Sequence, residues 1–404
     1  MWSSFEMPDE RGTALDVLGR AAARGIDVRL ICWRPDASTE NLKRNAFWGS
    51  VEHIQQLERR RSGIRIRWDQ AHPGFCQHQK SWLIDAGGKN EIAFVGGINL
   101  NPNSMTSPGH TPGTYDECQN HDAYIELVGP STVDVHHNFV QRWNEASERF
   151  SPDGRWGFGS ETDLPFPARI PAECGNAFVQ IQRTIHSGRY TNGEATPGGC
   201  AFDIVSGEQT IFDQYCAAID AARHSIYIEN QAITVLEIVA ALQRAVRLGV
   251  EVVVLLPTNL DGLSGYTPQQ AYFESWASLG AYENFTLAGI ASLNDDGQHE
   301  SVYVHDKLML VDDQWATVGS CNLHRYSLFG NAELNAAFWC PSTVRALRCE
   351  LFQEHLAHDT SPLDDRAALR YFRKIAWENR RRCNVGIHEW QGLAFALDPA
   401  GAGH

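Results

Sequence analysis

The chain has 404 residues, a formal net charge of −15, 43% hydrophobic residues and 21% charged residues. This length exceeds what one ordinary hydrophobic core supports, so we expect two lobes. The acidic balance argues against a protein that binds nucleic acid through a broad basic face. The longest apolar runs, such as 250–257, are too short to cross a membrane.

The first half of the sequence predicts an ordered series of helices and strands. Residues 14–35 read as an amphipathic helix, a glycine break and a buried strand that ends at a proline. Residues 78–85 and 92–99 predict two strands joined by a turn, the second ending in small residues and Asn. A further strand (122–130) and a helix (131–146) follow.

The second half repeats this order. Residues 235–257 again give a helix, a glycine and a strand that ends at a proline. Two strands separated by a turn (305–313 and 315–322) come next, followed by a strand (333–341) and a helix (342–357). A duplication with this long a period predicts two α/β lobes related by a pseudo-twofold axis.

The Pro/Gly-rich stretch 151–176 is the predicted connection, which places the first lobe at 1–165 and the second at 166–404. The second half also has a helix and a strand at 209–233 for which the first half has no counterpart. We therefore hypothesise that the first lobe lacks them because the chain starts late. An intact-mass measurement on native protein checks this point.

One motif occurs at equivalent places in the two halves and uses two of the five lysines. It is His-x-Lys-x4-Asp, formed by His78, Lys80 and Asp85 and again by His305, Lys307 and Asp312. Along a strand, residues i and i+2 project to the same face, so each His projects together with its Lys. Each Asp is an odd number of positions from its Lys and is therefore expected to face away, as a strand-end group. As members of the motif, Asp85 and Asp312 are nevertheless included among the predicted catalytic residues.

A twofold axis between the lobes would bring both His-Lys pairs to one cleft, where the residue types fit a phosphodiester. The lysines neutralise non-bridging oxygens, and Asn99 and Asn322 donate hydrogen bonds from the neighbouring strand ends. One His attacks phosphorus and the other protonates the leaving oxygen. From the residues alone, either His can take either role.

Three other interpretations of the motif are less favoured. A single copy arises by chance in roughly one chain of this composition in a hundred, but two copies at equivalent repeat positions do not. Two lysines in the cleft would repel a metal ion. A decayed, non-catalytic repeat usually loses a motif residue, whereas both triplets are complete.

At these residues the sequence resembles the phospholipase D superfamily, whose signature is the duplicated motif. The resemblance covers nearly the whole chain and is closest to the eukaryotic-type branch. That branch's pattern is matched by "HSIYIENQAI" (224–233), "VGSCNLHRYSLFGNAELN" (318–335) and "LRCELFQEHL" (347–356). Two departures are Asn120, where the branch often has Trp, and Ala232 with Ile233, where aromatic residues are usual.

The resemblance implies a bilobal α/β/α sandwich with one active site between the lobes and no metal required for the chemistry. It leaves calcium stimulation open. It assigns His78 as the nucleophile and His305 as the acid, with the reverse as the alternative. It also implies that an acidic residue pairs with the histidine of the opposite lobe, Glu333 with His78 and Asp122 with His305.

The function implied is that of a phospholipase D, which hydrolyses the distal phosphodiester bond of a glycerophospholipid to phosphatidic acid. The expected partners are a phospholipid at a membrane or micelle surface and water or an alcohol as acceptor, and no nucleic acid is expected. The alternatives are a phospholipid synthase of the same superfamily and, less favoured, a nucleic-acid phosphodiesterase. No signal peptide is recognisable at Met1, and the sequence leaves the compartment open.

Polar residues outside the motif carry two further predictions. His72, His110 and His121 flank the first motif and are candidates to border the cleft. Glu229 and Asn230 lie in an apolar strand, and we expect them to bridge the lobes by hydrogen bonds rather than to contact phosphate.

Overall fold

The computed structural model describes residues 8–9, 12–33, 63–100, 102–104, 106–110, 119–146, 163–258 and 270–401. The elements of the first half, within these ranges, are β1 (Pro8–Asp9), β2 (Gly12–Thr13), α1 (Ala14–Ala23), β3 (Arg29–Trp33), β4 (Arg65–Asp69), β5 (Lys80–Ile84), β6 (Ile92–Gly96), β7 (Asn120–His121), β8 (Tyr124–Val128) and α2 (Thr132–Asn144). α1 starts with a capping box, in which Thr13 and Asp16 exchange hydrogen bonds.

The second half contains the larger share of the described elements. They are β9 (Phe178–Ile185), β10 (Glu208–Gln209), α3 (Thr210–Ala221), β11 (Ser225–Asn230), α4 (Leu236–Arg247), β12 (Glu251–Leu255), α5 (Gln270–Gly280), β13 (Phe285–Leu293), β14 (His299–Val304), β15 (Lys307–Val311), β16 (Trp315–Gly319), α6 (Arg325–Phe329), β17 (Glu333–Trp339), α7 (Pro341–Leu356), α8 (Asp365–Asn384) and β18 (Ala394–Ala396).

A mixed sheet of eleven strands forms the centre of the second half. Its strand order is β10-β9-β17-β16-β15-β11-β12-β13-β14-β7, with β18 beside β13. β11, β12 and β13 run parallel to one another, whereas β15, β16, β17 and β9 pair antiparallel. Strand β7 belongs to the first half of the sequence, so the sheet itself crosses between the halves.

Helices cover both faces of this sheet because its strands alternate between two apolar cores. On β11, Ile226 and Ile228 pack in the core with α3, α4 and α5, whereas Tyr227 packs in the other core, with Phe352 of α7 and Phe372 of α8. Strands buried on both faces require helices on both sides. The predicted α/β class, with a mixed sheet flanked by helices, is confirmed.

The first half has smaller sheets that follow the same plan. β5, β6 and β8 form an antiparallel sheet, as β15, β16 and β17 do, and β3 pairs with β4 in parallel, as β12 does with β13. The helix before β3 and the helix before β12 both end next to a glycine with a left-handed φ, 85° at Gly25 and 84° at Gly249. A residue without Cβ adopts that conformation at no steric cost, so each helix stops and turns into its strand at the same place.

The two halves share a core where the sheets face each other. Ala93, Val95 and Leu127 of the first half pack with Leu334 and Ala336 of β17. This apolar contact fixes the orientation of the motif strands β5 and β15 relative to each other. Within the described residues, no helix combines the length and the apolar character needed to cross a membrane.

The connection between the halves is only partly described. Residues 163–174 contain neither helix nor strand, in agreement with the Pro/Gly-rich composition. Residues 151–162 lie outside the described residues, as do residues 1–7, which the hypothesis of a late start involves. The boundary at residue 165 stays a prediction.

Candidate active site

The two motifs occupy equivalent places at the starts of two strands. Lys80 is the first residue of β5 and Lys307 is the first residue of β15. His78 and His305 stand two positions earlier, so each projects to the same side as its lysine. All four side chains are largely buried. The positive charges of both lysines act on the rings of both histidines, so the two motifs lie within electrostatic reach of each other.

Each motif histidine is attached by its backbone to the opposite half. The His78 N–H donates to the carbonyl oxygen of Ala332 at 2.9 Å, and the His305 N–H donates to that of His121 at 2.8 Å. The residue before each histidine forms a parallel bridge to that same partner, Gln77 to Ala332 and Val304 to His121. This identical register in both halves is the local signature of a pseudo-twofold axis that passes between the motifs.

The residues that follow these partners are the two acidic residues. Nδ1 of His78 lies 3.0 Å and 2.9 Å from the two carboxylate oxygens of Glu333. Nδ1 of His305 lies 2.5 Å from Oδ2 of Asp122. Because each Nδ1 faces a carboxylate, each Nε2 is the ring nitrogen that remains for chemistry. Each half thus supplies the carboxylate that orients the other half's imidazole.

The lysines curl back towards their own motif histidines. Nζ of Lys80 donates to the backbone oxygen of His78 at 2.7 Å. Nζ of Lys307 donates to the backbone oxygen of His305, and it lies 3.3 Å from Oε1 of Gln231. Only 6% of Lys80 and 1% of Lys307 are exposed. Burial lowers the pKa of both ammonium groups, that of Lys80 to about 8, where repulsion by Lys307 contributes.

The site favours the neutral ring of His78 and brings the ionisation of Glu333 close to neutral pH. Burial lowers the pKa of His78 well below its usual value, and repulsion from Lys80, Lys307 and His305 adds to this. Burial raises the pKa of Glu333 to about 7, although Lys80 opposes the shift. A neutral imidazole is the form of histidine that can act as a nucleophile.

The pair His305 and Asp122 has a different balance. Burial and Lys307 lower the pKa of His305 to about 4, although Asp122 opposes the shift. Burial raises the pKa of Asp122, but the attraction of His305 and Lys307 and the Ala123 N–H at 2.9 Å outweigh it, so the net shift is downward. Asp122 is therefore the carboxylate of the two that stays charged most readily.

A second difference between the two carboxylates lies one strand away and was not recognised in the sequence. It is a hydroxyl donor that favours the charged form of Glu333 and so opposes the rise of its pKa on burial. The Ser320 hydroxyl donates to Oε2 of Glu333 at 2.6 Å. The equivalent residue of the first half is Gly97, where a Cβ would come within 2.2 Å of Oδ1 of Asp122. In the sequence, this difference is visible only as Gly-Ser at 319–320, at the end of β16, where the end of β6 has Gly-Gly at 96–97.

The two motif aspartates do not join this group, which corrects their inclusion among the catalytic residues. Each lies at the far end of its strand, about 16 Å from its lysine for five extended residues. Asp85 has a left-handed φ of 55° and accepts a bond from the Asn90 N–H at 3.1 Å. The carboxylate of Asp312 accepts three backbone N–H bonds from residues 223–225 at 2.8–2.9 Å. Both aspartates stabilise turns.

The two predicted asparagine donors occupy equivalent positions. Asn99 and Asn322 stand three residues beyond the ends of β6 and β16, and both are buried. The side-chain oxygen of Asn322 has no hydrogen-bond partner within the described residues. Their contact with a phosphate stays a prediction.

The remaining polar candidates are divided between two places. His121 and His110 do not border the cleft, which corrects that prediction: Asp122 faces the cleft, so the neighbouring His121 faces the other side of the strand. His121 Nε2 lies 2.9 Å from Oε2 of Glu229, so Glu229 contacts the other half through an ion-pair contact; a bridge by hydrogen bonds stays a prediction. Asn230 instead accepts N–H bonds from Ala232 and Leu323 inside the second half.

His72 lies apart from that buried group. It stacks on His186, with ring centroids 3.7 Å apart, and Phe75 packs beside both rings.

Replacing Lys80 with arginine is expected to lower kcat/KM about 10²-fold although the charge is kept. The buried ammonium fits against the His78 carbonyl, and a planar guanidinium would not fit in the same space. Lys374 on α8 is exposed, so Lys374→Arg is the matched control and should change the rate less than twofold or so. A Lys80→Arg enzyme with wild-type kcat/KM would refute this account of the lysine.

Comparisons with known proteins agree with the geometry. A family model described as "Cardiolipin synthase, PLD-like domain" matches residues 3–130 and 215–355. Phospholipase D A of Dictyostelium discoideum is 25% identical over 408 residues, which is 83% of this chain and 29% of that protein. Phospholipase D alpha 1 of Arabidopsis thaliana is 23% identical over 488 residues, which is 89% of this chain and 60% of that protein. The chain thus spans less than two thirds of either relative.

Among solved structures, Nuc, a phospholipase D family member from Salmonella typhimurium, is similar over 44% of this chain and 93% of its own. The identity is 21% and the TM-score is 0.29. The family model covers more than half of the chain and includes both motifs. The chain therefore belongs to the phospholipase D superfamily.

Proposed function

We propose that the protein is a phospholipase D that cleaves the distal phosphodiester bond of glycerophospholipids. One observation carries the proposal: two His-Lys pairs, each histidine held by a carboxylate of the opposite half, are assembled in one buried site. Two ammonium groups in one site suit a phosphodiester, whose negative charge is shared by two non-bridging oxygens and grows on them in the transition state.

In the proposed first step, Nε2 of His78 attacks the phosphorus of the phospholipid. A P–N bond forms, and the bond between phosphorus and the head-group oxygen breaks. The bound phosphodiester anion adds negative charge beside His305 and, together with Asp122, favours the imidazolium, whereas burial and Lys307 lower the pKa of this ring in the free site. His305, as imidazolium, gives its Nε2 proton to that leaving oxygen and becomes neutral. Asp122 stabilises the imidazolium before the transfer. Lys80 and Lys307 neutralise the two non-bridging oxygens throughout.

In the second step, neutral His305 removes a proton from water or from an alcohol. The resulting oxygen nucleophile attacks the phosphorus, and the P–N bond to His78 breaks. Water gives phosphatidic acid, whereas an alcohol gives a new phosphatidyl ester, that is, transphosphatidylation. Asn99 and Asn322 are the proposed hydrogen-bond donors to the phosphoryl oxygens, from equivalent places in the two halves.

His78 is the proposed nucleophile because its environment favours the neutral ring. Burial and the lysines lower its pKa, and Glu333, with a pKa raised to about 7, ionises near neutral pH. An ionised Glu333 accepts the Nδ1–H of His78 and leaves the lone pair on Nε2. No step of this chemistry requires a metal ion.

A phospholipid synthase is the second candidate, because the matching family model is described as cardiolipin synthase. It would use the same two histidines and favour an alcohol over water as acceptor. A nucleic-acid phosphodiesterase is less favoured, because the net charge of −15 opposes a phosphate backbone. In either phospholipid reaction the protein acts peripherally, at a membrane or micelle surface.

Mass spectrometry of the products from a mixed phospholipid panel tests the proposal. Phosphatidic acid is expected without ethanol, and phosphatidylethanol is expected in its presence, because the covalent intermediate accepts either nucleophile. Products that form only when a phosphatidylglycerol or serine acceptor is supplied would instead favour a synthase. Cleavage of oligonucleotides but of no phospholipid would refute the proposal. His305→Ala protein is the control for contaminating activity.

A further inference from the structure

A second cluster of ionisable side chains lies behind the active site, on the opposite face of β14 and β7. Asp306 stands between His305 and Lys307 and therefore projects away from the cleft. The buried histidine–carboxylate cluster, as we call it, consists of His110, His121, Glu229, Asp306, Glu354 and His355. The proposed mechanism uses none of these side chains.

Three of these side chains, those of His121, Glu229 and His355, have ligand atoms within 4.8 Å of one another, and Asp306 lies beside His121. Nε2 of His121 lies 2.9 Å from Oε2 of Glu229 and 3.3 Å from Oδ2 of Asp306. Nε2 of His355 lies 3.1 Å from Oε1 of Glu229. Glu229 and His355 are fully buried, and Asp306 is 1% exposed. First-half His121 therefore meets three residues of the second half.

The carboxylates of the cluster lack sufficient positive charge. Within the described residues, every ion pair of Glu229, Asp306 and Glu354 is with a histidine, and none is with a lysine or arginine. Nε2 of His121 has a single position for a proton and faces two carboxylates. Neither oxygen of Asp306 has a hydrogen-bond partner in the described part of the chain. Unpaired buried carboxylates are costly, and a cation removes that cost.

Neighbouring side chains orient the ring of His121 and the carboxylate of Glu229 towards the centre of the cluster. Nδ1 of His121 lies 3.0 Å from Nε2 of His110, which in turn lies 3.5 Å from Oε1 of Glu354. The Tyr227 hydroxyl donates to Oε1 of Glu229 at 2.6 Å. A ring nitrogen turned to an outer partner, with the other turned to the centre, is the usual arrangement around a histidine that binds a metal.

We propose that His121, Glu229, Asp306 and His355 bind one divalent transition-metal ion, of the kind that imidazole and carboxylate ligands select together, such as Zn²⁺. Tetrahedral ligands about 2.0–2.1 Å from zinc are about 3.3 Å apart. The distances from His121 Nε2 to the two carboxylates, 2.9 Å and 3.3 Å, are close to that spacing. Four protein ligands close the coordination sphere, so the ion is structural and joins the halves. The site is independent of the proposed phospholipase reaction.

The metal content of purified protein tests the site directly. The full chain is treated with a chelator, incubated with Zn²⁺, dialysed and analysed for metal. We expect about one equivalent in the wild type and less than about one fifth of that in Asp306→Asn. Asp220→Asn, at an exposed pair with Arg244, is the matched control and should retain the ion. All three proteins keep His78 and His305, so the difference maps to the cluster.

The thermal stability and the cobalt spectrum of the wild type cover the case in which Asp306→Asn does not fold. Zn²⁺ in hundredfold excess over Kd is expected to raise the Tm of chelator-treated wild type by about 3 °C or more. Co²⁺ should give the intense visible absorption of a tetrahedral site. A wild type that binds no ion, gains no Tm and gives no such spectrum would overturn the proposal. So would equal ion content in Asp306→Asn. The cluster would then be a network held by shared protons.

Discussion

Replacing either motif histidine with alanine is expected to lower kcat at least about 10⁴-fold without unfolding the protein. His78 and His305 are the two imidazoles that a carboxylate of the opposite half turns towards the cleft in the described structure. Water cannot replace an attacking ring nitrogen, and neither lysine can give a proton at the right place. Near-wild-type turnover in either variant would refute a shared site.

The two variants should fail at different steps, and a substrate with p-nitrophenol as head group separates them. This leaving group needs no acid, so His305→Ala should release one equivalent in a burst and then stop. His78→Ala should give no burst. A burst in His78→Ala instead would reverse the assignment of nucleophile and acid. His388→Ala, at an exposed histidine outside the site, is the control and should turn over normally.

Replacing Glu333 with glutamine is expected to lower kcat/KM about 10³-fold and to change its pH profile. The pKa of Glu333 is raised to about 7 because the carboxyl group is buried. Below that pH the neutral carboxyl group donates to Nδ1 of His78, and the imidazole then carries its proton on Nε2, the nitrogen that must attack. Wild-type kcat/KM should therefore rise with pH through about 7.

The glutamine side chain does not ionise, so the variant should lack this rise, which a merely structural role would not change. The fall in rate on the alkaline side should remain, because Lys80, with a pKa of about 8, still loses its proton there. Glu378→Gln, in an exposed pair with Arg381, serves as the control. An unchanged rise near pH 7 in Glu333→Gln would show that another group causes it.

The fold and the placement of each motif histidine beside its lysine could be predicted from the sequence, because the first depends on repetition and the second on strand geometry. The helix, glycine and strand at 14–35 and 235–257 have local signals, and Gly25 and Gly249 indeed adopt the same left-handed φ. The alternation of a strand places His78 with Lys80, and it places Asp85 away from both. The pairing of Glu333 with His78 followed only from the family resemblance, since 255 positions separate them in the chain.

Other features depend on which elements meet across the halves, and no local pattern encodes that. The turn-stabilising role of Asp312 requires the backbone of residues 223–225, which β11 brings beside the end of β15. Likewise, His121 is adjacent to an active-site carboxylate in sequence, but the strand turns it towards Glu229. Its position next to Asp122 in the sequence led to the prediction that it borders the cleft. Because side chains alternate along the strand, it lies behind the cleft instead.

The central claim is that both histidines and both lysines act on one phosphorus atom. A crystal structure with bound vanadate, which mimics the five-coordinate phosphorus of the transition state, measures this most directly. We expect vanadium bonded to Nε2 of His78, with Nε2 of His305 facing the opposite, apical oxygen and Nζ of Lys80 and Lys307 on equatorial oxygens. Vanadate held by one motif alone, with the other pair out of contact, would contradict the account.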